Sequence, residues 1–396
     1  MTRAQSFAIL TTTIALGIVQ TILFAALPPA GLALGLTPFQ IGTFVAATNF
    51  VALVFSPYWG RKADSVGRRP LILMGLGFLA MSFLATALII EVGLRYALGS
   101  MLIYGLLLVA RISAAAYAAA AFPALKALTA DLTKPEDRGT GMAAISGGFF
   151  IGTILGPIVA AFALVAGLSA PFIIAALVCT TAYFLVLSKL DSGFSPKTKE
   201  TAAKLSPFDK RVSAYLAMYF LTTLSLAILQ QICLFYVRDK FAVQPGAEII
   251  QGSSALVVLA LSVVGAQLIL IKLLNLSPTQ MIRIGAPISL IAISSLLFVD
   301  TLSLFMLSFA ISGVGLGLLF PGILASSSLS VRDDEQGSLG GLQNATTSLA
   351  YMVGPLLATG FYSPSSTLPF GFACAAIAVA ASFALKKSRT SPSEIN

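Results

Sequence analysis

The sequence predicts an all-α membrane protein of twelve transmembrane helices, arranged as two pseudo-symmetric halves of six. Three observations predict it. Apolar residues make up 57% of the 396 and charged ones only 10%, whereas soluble domains carry about a quarter charged residues. Long stretches hold no Asp, Glu, Lys or Arg at all. The chain also repeats itself at half its length.

The charge-free stretches are Ala4 to Gly60, Gly139 to Ser188, Val212 to Val237, Thr301 to Val331 and Gln336 to Leu385. Each is long enough for one or two spans, because a hydrocarbon core of about 30 Å takes roughly 20 residues of helix. The first must be two spans, since LPPAGLALGLTP (Leu27 to Pro38) interrupts it with proline and glycine. Further spans are expected over 70–90, 98–125, 139–163, 170–188, 211–236, 247–271, 281–299, 302–328, 338–360 and 369–385. Arg3 ahead of an apolar run imitates a signal peptide, but the run is long and more spans follow, so it is read as the first span.

Basic residues set the orientation. With the amino terminus inside, twenty of the 24 Lys and Arg fall on the cytoplasmic side; Arg95, Arg238 and Lys240 fall outside, and Arg111 lies within a span. The expectation is a multi-pass protein of the inner (plasma) membrane with both termini cytoplasmic. The net charge of +9 is then topological bias and attraction to anionic membrane lipid, and no nucleic-acid partner is expected. Cys179, Cys233 and Cys374 each sit singly in an apolar span and read as small core residues, not as metal ligands.

The longest polar stretch separates six spans from six. It divides the chain into an amino-terminal half (1–188), a cytoplasmic linker (189–210), a carboxy-terminal half (211–386) and a cytoplasmic tail (387–396). FPALKALTADLTKPEDRG (Phe122 to Gly139) aligns without gaps on FPGILASSSLSVRDDEQG (Phe320 to Gly337), an offset of 198, at which Gly156 and Pro157 also meet Gly354 and Pro355. Two parallel halves around a central site is a transporter architecture.

The stretch GRKADSVGRRP, between the second and third spans, concentrates charge in an apolar chain. It resembles the loop signature of the major facilitator superfamily, with Gly60, Asp64, Gly67, Arg68 and Arg69 as the matching positions. Arg111, followed by small residues in the fourth span, is similar to the pattern of the drug:proton antiporter (12-span efflux) branch. So is GGFFIGTILGPIVAA (Gly147 to Ala161), although Ala115, Ala160 and Ala161 stand where that branch usually has glycine. The resemblance implies the major facilitator fold and export. It also implies a cytoplasmic latch, in which Asp64 faces the eleventh span near Ser338 and Arg68 pairs with Asp131. The plainer reading is that these charges only hold the loop inside.

Gly148, Gly152 and Gly156 recur every fourth residue and make a groove for a neighbouring backbone, with Pro157 able to bend the helix. Ordinary helix packing and a role in transport direction both fit. A charge at mid-span costs roughly 2.5–3.5 kcal/mol, so Arg111 needs a partner or a watery cavity. Its guanidinium suits a substrate carboxylate or phosphate; support of the helix through backbone carbonyls is the equal alternative. Gln20, Asn49, Gln230, Gln231, Gln267, Gln343, Asn344, Tyr117 and Tyr351 are the other polar candidates at membrane depth, each also suited to helix-to-helix hydrogen bonding. Gln20, Gln230 and Gln231 rank first, because the first span of each half lines the cavity in the fold that the chain resembles.

No acid falls deep in a span and the chain has no histidine. That excludes the Ser-His pair and zinc site of an intramembrane enzyme, so neither enzymatic activity nor a cofactor is expected. It also leaves proton coupling to Asp131, to Glu248 or to the substrate's own acid group. The expected function is export of a small amphipathic or carboxylate-bearing molecule by alternating access, in the multidrug or siderophore range, in exchange for protons and as a monomer. Import or facilitated diffusion of a small organic anion is the alternative.

Overall fold

Helix is the only spanning structure open to a chain whose solvent offers no hydrogen bonds, apart from a closed barrel. The computed structural model describes residues 2–133, 138–190, 205–241, 247–332 and 335–389, and among them there is no strand. The chain divides into two compact units, Met1–Thr198 and Lys199–Asn396.

Seven helices build the first unit: α1 (Arg3–Ala33), α2 (Pro38–Val66), α3 (Arg68–Tyr96), α4 (Ser100–Ala118), α5 (Ala121–Leu132), α6 (Arg138–Leu164) and α7 (Ala170–Lys189). The second holds α8 (Ser213–Phe241), α9 (Ala247–Gly265), α10 (Ile271–Leu274), α11 (Pro278–Ser295), α12 (Leu302–Ser328), α13 (Gln336–Gly360) and α14 (Leu368–Arg389). Helices α4 and α5 together make the fourth span. Helices α9 and α10, joined by a π-helical turn at Ala266–Leu270, make the eighth. Among the described residues nine of these helical stretches are long and apolar enough to cross a membrane, and α11, α13 and α14 bring the helical segments to around the twelve expected.

Two expected interruptions move. Helix α1 runs through Pro28 and Pro29, both buried, and stops only at Leu34, where Gly35 takes a φ of 75°. The charged stretch from Gly60 onward is mostly not a loop: α2 continues to Val66, and Gly67 alone breaks it, with a φ of 98° that suits glycine. Arg68 and Arg69 therefore open α3, with Pro70 in its first turn, where a missing N–H costs no helical bond.

The fourth span breaks where the sequence reading had it continuous. Pro123 cannot donate to the Ala119 carbonyl and its ring crowds that turn. The Ala120 N–H turns to the Tyr117 carbonyl at 3.1 Å, which leaves the Ala116 carbonyl without its helical donor. The Trp59 indole N–H fills the place, 2.5 Å from Ala116 O.

Glycines decide the closest helix contacts. A methyl group on Gly152 would fall on the Ile14 carbonyl oxygen and lie 2.8 Å from Gly17 Cα; one on Gly156 would strike Thr21 Oγ1. Helices α1 and α6 thus touch backbone to backbone, and Thr21 Oγ1 donates across the seam to Thr153 O at 3.1 Å. In the second unit α13 approaches α8 in the same way, with a methyl on Gly354 only 2.7 Å from Ala227 Cβ. Helix α12 uses Gly313 and Gly317 against α9, and Gly315 and Gly322 against α11.

Gly152→Ala should destabilise the protein by about 1–3 kcal/mol through overpacking, read as a lower midpoint of thermal unfolding in detergent. Gly147→Ala is the control, since an added methyl there meets nothing within 4 Å. Equal midpoints for the two variants would refute the backbone-contact seam.

Candidate functional site

Arg111 is buried, 5% exposed, on the face of α4 that also buries Ile103, Leu107, Ala114 and Ala115. That face looks toward α3: the Arg111 guanidinium stands 4.5 Å from the centre of the Phe83 ring. Attraction to the ring's negative face contributes about 2 kcal/mol when both are desolvated. It does not satisfy the N–H groups, and Nε and Nη1 have no hydrogen-bond partner among the described residues. An ionised group left so is an expensive one.

The other polar candidates divide into those already occupied and those not. Asn49 donates to Val45 O of its own helix at 2.9 Å. Gln343 donates to Ser327 Oγ at 3.1 Å. Tyr351, on α13, donates to Gln230 Oε1, on α8, at 3.2 Å. Gln231 is 1% exposed, and neither amide atom has a partner among the described residues. Gln20 and Asn344 are half-buried, and Gln267, also half-buried, sits in the π-helical turn, a distortion often found at functional positions. Tyr117 stacks on Phe78 with ring centres 4.1 Å apart and lies 5.9 Å from the Trp59 ring.

Near the start of α3, Arg68 Nε lies 3.4 Å from Asp131 Oδ2 at the end of α5. Arg69 Nη2 donates instead to the Leu187 carbonyl in the last turn of α7, at 2.6 Å, so this residue closes a helix end. Gly60 and Asp64 lie in the last turns of α2, and the surroundings of both fall outside the described side chains. Glu248, in the first turn of α9, does too.

Sequence reasoning passed over Trp59, Lys126, Tyr219 and Thr347. The Lys126 ammonium, half-buried on α5, sits 4.6 Å from the centre of the Phe122 ring. Thr347 donates to the Tyr219 hydroxyl at 3.2 Å, placing a second α8–α13 bond beside the Gln230 pair. The spacing of Gln343, Thr347 and Tyr351, every fourth residue on α13, was the available signal. For Trp59 it was Pro123, since a break in a span demands a donor from elsewhere.

A polytopic helical protein with polar and charged groups held at membrane depth belongs to the integral membrane class in which such groups mark pathways and ligand sites. The family model of the Major Facilitator Superfamily matches residues 9–299 and 246–396. The chain belongs to the major facilitator superfamily. It is 25% identical over 388 residues to Multidrug resistance protein 1 of Bacillus subtilis (strain 168), covering 92% of this chain and 94% of that protein. It is 25% identical over 353 residues to the class C tetracycline resistance protein of Escherichia coli, covering 84% and 82%. Among solved structures it resembles the human organic anion transporter MFSD10 (TETRAN), with a TM-score of 0.69 and 16% identity over 96% of this chain and 99% of that one. Family members are transporters and not enzymes, so the chain is a multi-pass membrane protein that moves a small molecule.

Trp59→Phe removes the one donor on Ala116 O while keeping the ring. It should cost at most about 1–3 kcal/mol, the upper range being that of a fully buried unsatisfied carbonyl and this one being half-buried, read as a lower unfolding midpoint. A midpoint equal to the parent's would mean that the break needs no outside donor.

Proposed function

We propose that this protein exports a small amphipathic or carboxylate-bearing molecule from the cytoplasm by alternating access, working as a monomer in the plasma membrane with both termini cytoplasmic. The observation that carries the proposal is the buried Arg111 guanidinium, with two nitrogens that no described group satisfies. A carboxylate, flat and two-pronged, matches the guanidinium fork and would neutralise it. Gln231, buried and unbonded, and the Gln230–Tyr351 pair are the further polar contacts we assign to the substrate. Export is supported by the relatives, which are named for multidrug and tetracycline resistance.

Exchange for protons belongs to the same proposal, with Asp131 or Glu248 as the carrier that returns the proton inward once substrate has left. Arg68, bonded to Asp131, then acts with Gly60, Asp64, Gly67 and Arg69 as a latch that opens and closes with the cycle. The second reading, a facilitator or importer of a small organic anion, rests on the same unmet cation. The structural likeness to an organic anion transporter supports only the shared fold.

Inside-out membrane vesicles separate these readings. A lipophilic carboxylate dye should accumulate in them when the lumen is acidified, and collapse of the pH gradient should stop it. Arg111→Ala should lower the initial rate roughly ten- to a hundredfold, as expected for a lost charge-assisted bond of about 1.5–3 kcal/mol, while Arg111→Lys should keep part of it. Equal rates in the parent and Arg111→Ala would remove Arg111 from the site. Rates indifferent to the gradient, with fast counterflow, would favour the facilitator.

A further inference from the structure

Two charged side chains are buried among the described residues, Arg111 and Glu335. They are opposites in their surroundings. Glu335, just ahead of α13, receives Arg211 Nη1 on Oε2 at 2.9 Å, Arg211 Nη2 on Oε1 at 2.8 Å, and the Arg332 backbone N–H on Oε2 at 2.9 Å. The Arg332 guanidinium adds a contact at 3.5 Å. Arg211 also holds Asp209, donating from Nη2 to Oδ2 at 2.8 Å and from its backbone N–H to Oδ1 at 2.9 Å. One planar fork thus ties a segment outside the helices to the turn between α12 and α13.

The rest of that segment is docked as well. The Leu205 N–H donates to Ser338 Oγ, in the first turn of α13, at 2.9 Å. Leu205, Val212, Leu216 and Leu339 are buried together, with Val331 and Leu342 packed against them. These residues come from the strand of chain before α8, from α8 itself, and from both sides of the α12–α13 turn.

We propose that residues 205–212, the carboxy-terminal end of the segment connecting the two units, form a strap that Arg211 latches onto Glu335, and that the latched strap serves turnover and not substrate binding. Arg211 and Glu335 are positioning residues in this account. Latched, the strap makes the start of α8 and the α12–α13 turn one rigid piece, which alternating access by moving rigid bodies requires. Opening it would take both Arg211 donors from the Glu335 carboxylate at once, because one planar fork makes both bonds. Ser338, in the first turn of α13, is tied to the strap through the Leu205 N–H.

The latch is not a pH sensor near neutrality. Arg211 and the Arg332 N–H hold the Glu335 carboxyl down to about 2, and the same fork keeps Asp209 below its ordinary range and raises Arg211. A depressed carboxylate contributes stability above its unfolded pKa, near 4.5, and that stability is lost as pH falls through about 2. Between about pH 5 and 8 the latch therefore holds constant.

The test is thiol labelling of Leu205→Cys in membrane vesicles with a maleimide, in a Cys374→Ser background because Cys179 and Cys233 are buried. Labelling should be slow with the latch intact and at least about tenfold faster with Glu335→Gln or Arg211→Lys, which keeps charge but not the fork. Transport by Glu335→Gln should show a lower maximal rate with KM unchanged within about twofold. Fast labelling in the intact protein, equal rates in all variants, or a loss expressed in KM would each overturn the proposal. Labelling needs no substrate, so its outcome is independent of the export reading. Arg211→Lys keeps the test open should Glu335→Gln not fold.

Discussion

Every polar group in this chain that faces the membrane interior must be met from within the chain. That constraint makes the protein all helix, and it governs the places where helix fails. The broken fourth span is completed by an indole from α2, through Trp59 and Ala116 O. Ser225 on α8 donates to Ala373 O on α14 at 2.8 Å, Thr21 donates across the α1–α6 seam, and Arg69 covers a carbonyl at the end of α7. These side chains do for irregular or over-exposed backbone what water does in a soluble protein. The same constraint sorts the two buried charges. Glu335 has both oxygens satisfied, whereas Arg111 keeps two nitrogens without a partner among the described residues.

Packing follows a second rule that the two units share. Without a hydrophobic drive between helices in lipid, close backbone approach supplies the contact energy. Gly152 and Gly156 bring α6 onto α1, and Gly354 brings α13 onto α8 at the position 198 residues later. The repeat does not extend to every feature. Pro123 breaks the fourth span, whereas its counterpart Pro321 stays inside a continuous α12. Helix α12 packs closely on α9 and α11 through its glycines and stays helical past the proline.

The helices and the close approach of α6 to α1 were legible in the sequence because apolar runs and glycine spacing are local signals. Where helices stop was less so. Pro28 and Pro29 did not end α1, because surrounding burial outweighs the loss of two N–H groups, and the charge of the Gly60 stretch did not end α2, because charge is compatible with helix. Only Gly67, with its positive φ, ended it. At the site, Arg111 was visible as a lone mid-span charge, but its direction toward Phe83 was not, since helical phase relative to a neighbour is a tertiary property. The Arg211–Glu335 pair joins residues 124 apart and carried no sequence pattern. Asn49 was legible as a polar residue at membrane depth, but the bond it makes to its own helix was not.

The central claim is that Arg111 is a buried charge awaiting an anionic ligand. Thermal unfolding of the purified protein and of Arg111→Ala, each titrated with lipophilic carboxylates and with lipophilic cations, tests it most directly, because a ligand that binds only the folded state raises apparent stability. The account predicts that carboxylates stabilise the parent and leave Arg111→Ala unmoved. Stabilisation of both proteins alike, by either class of compound, would contradict it and make Arg111 a structural residue.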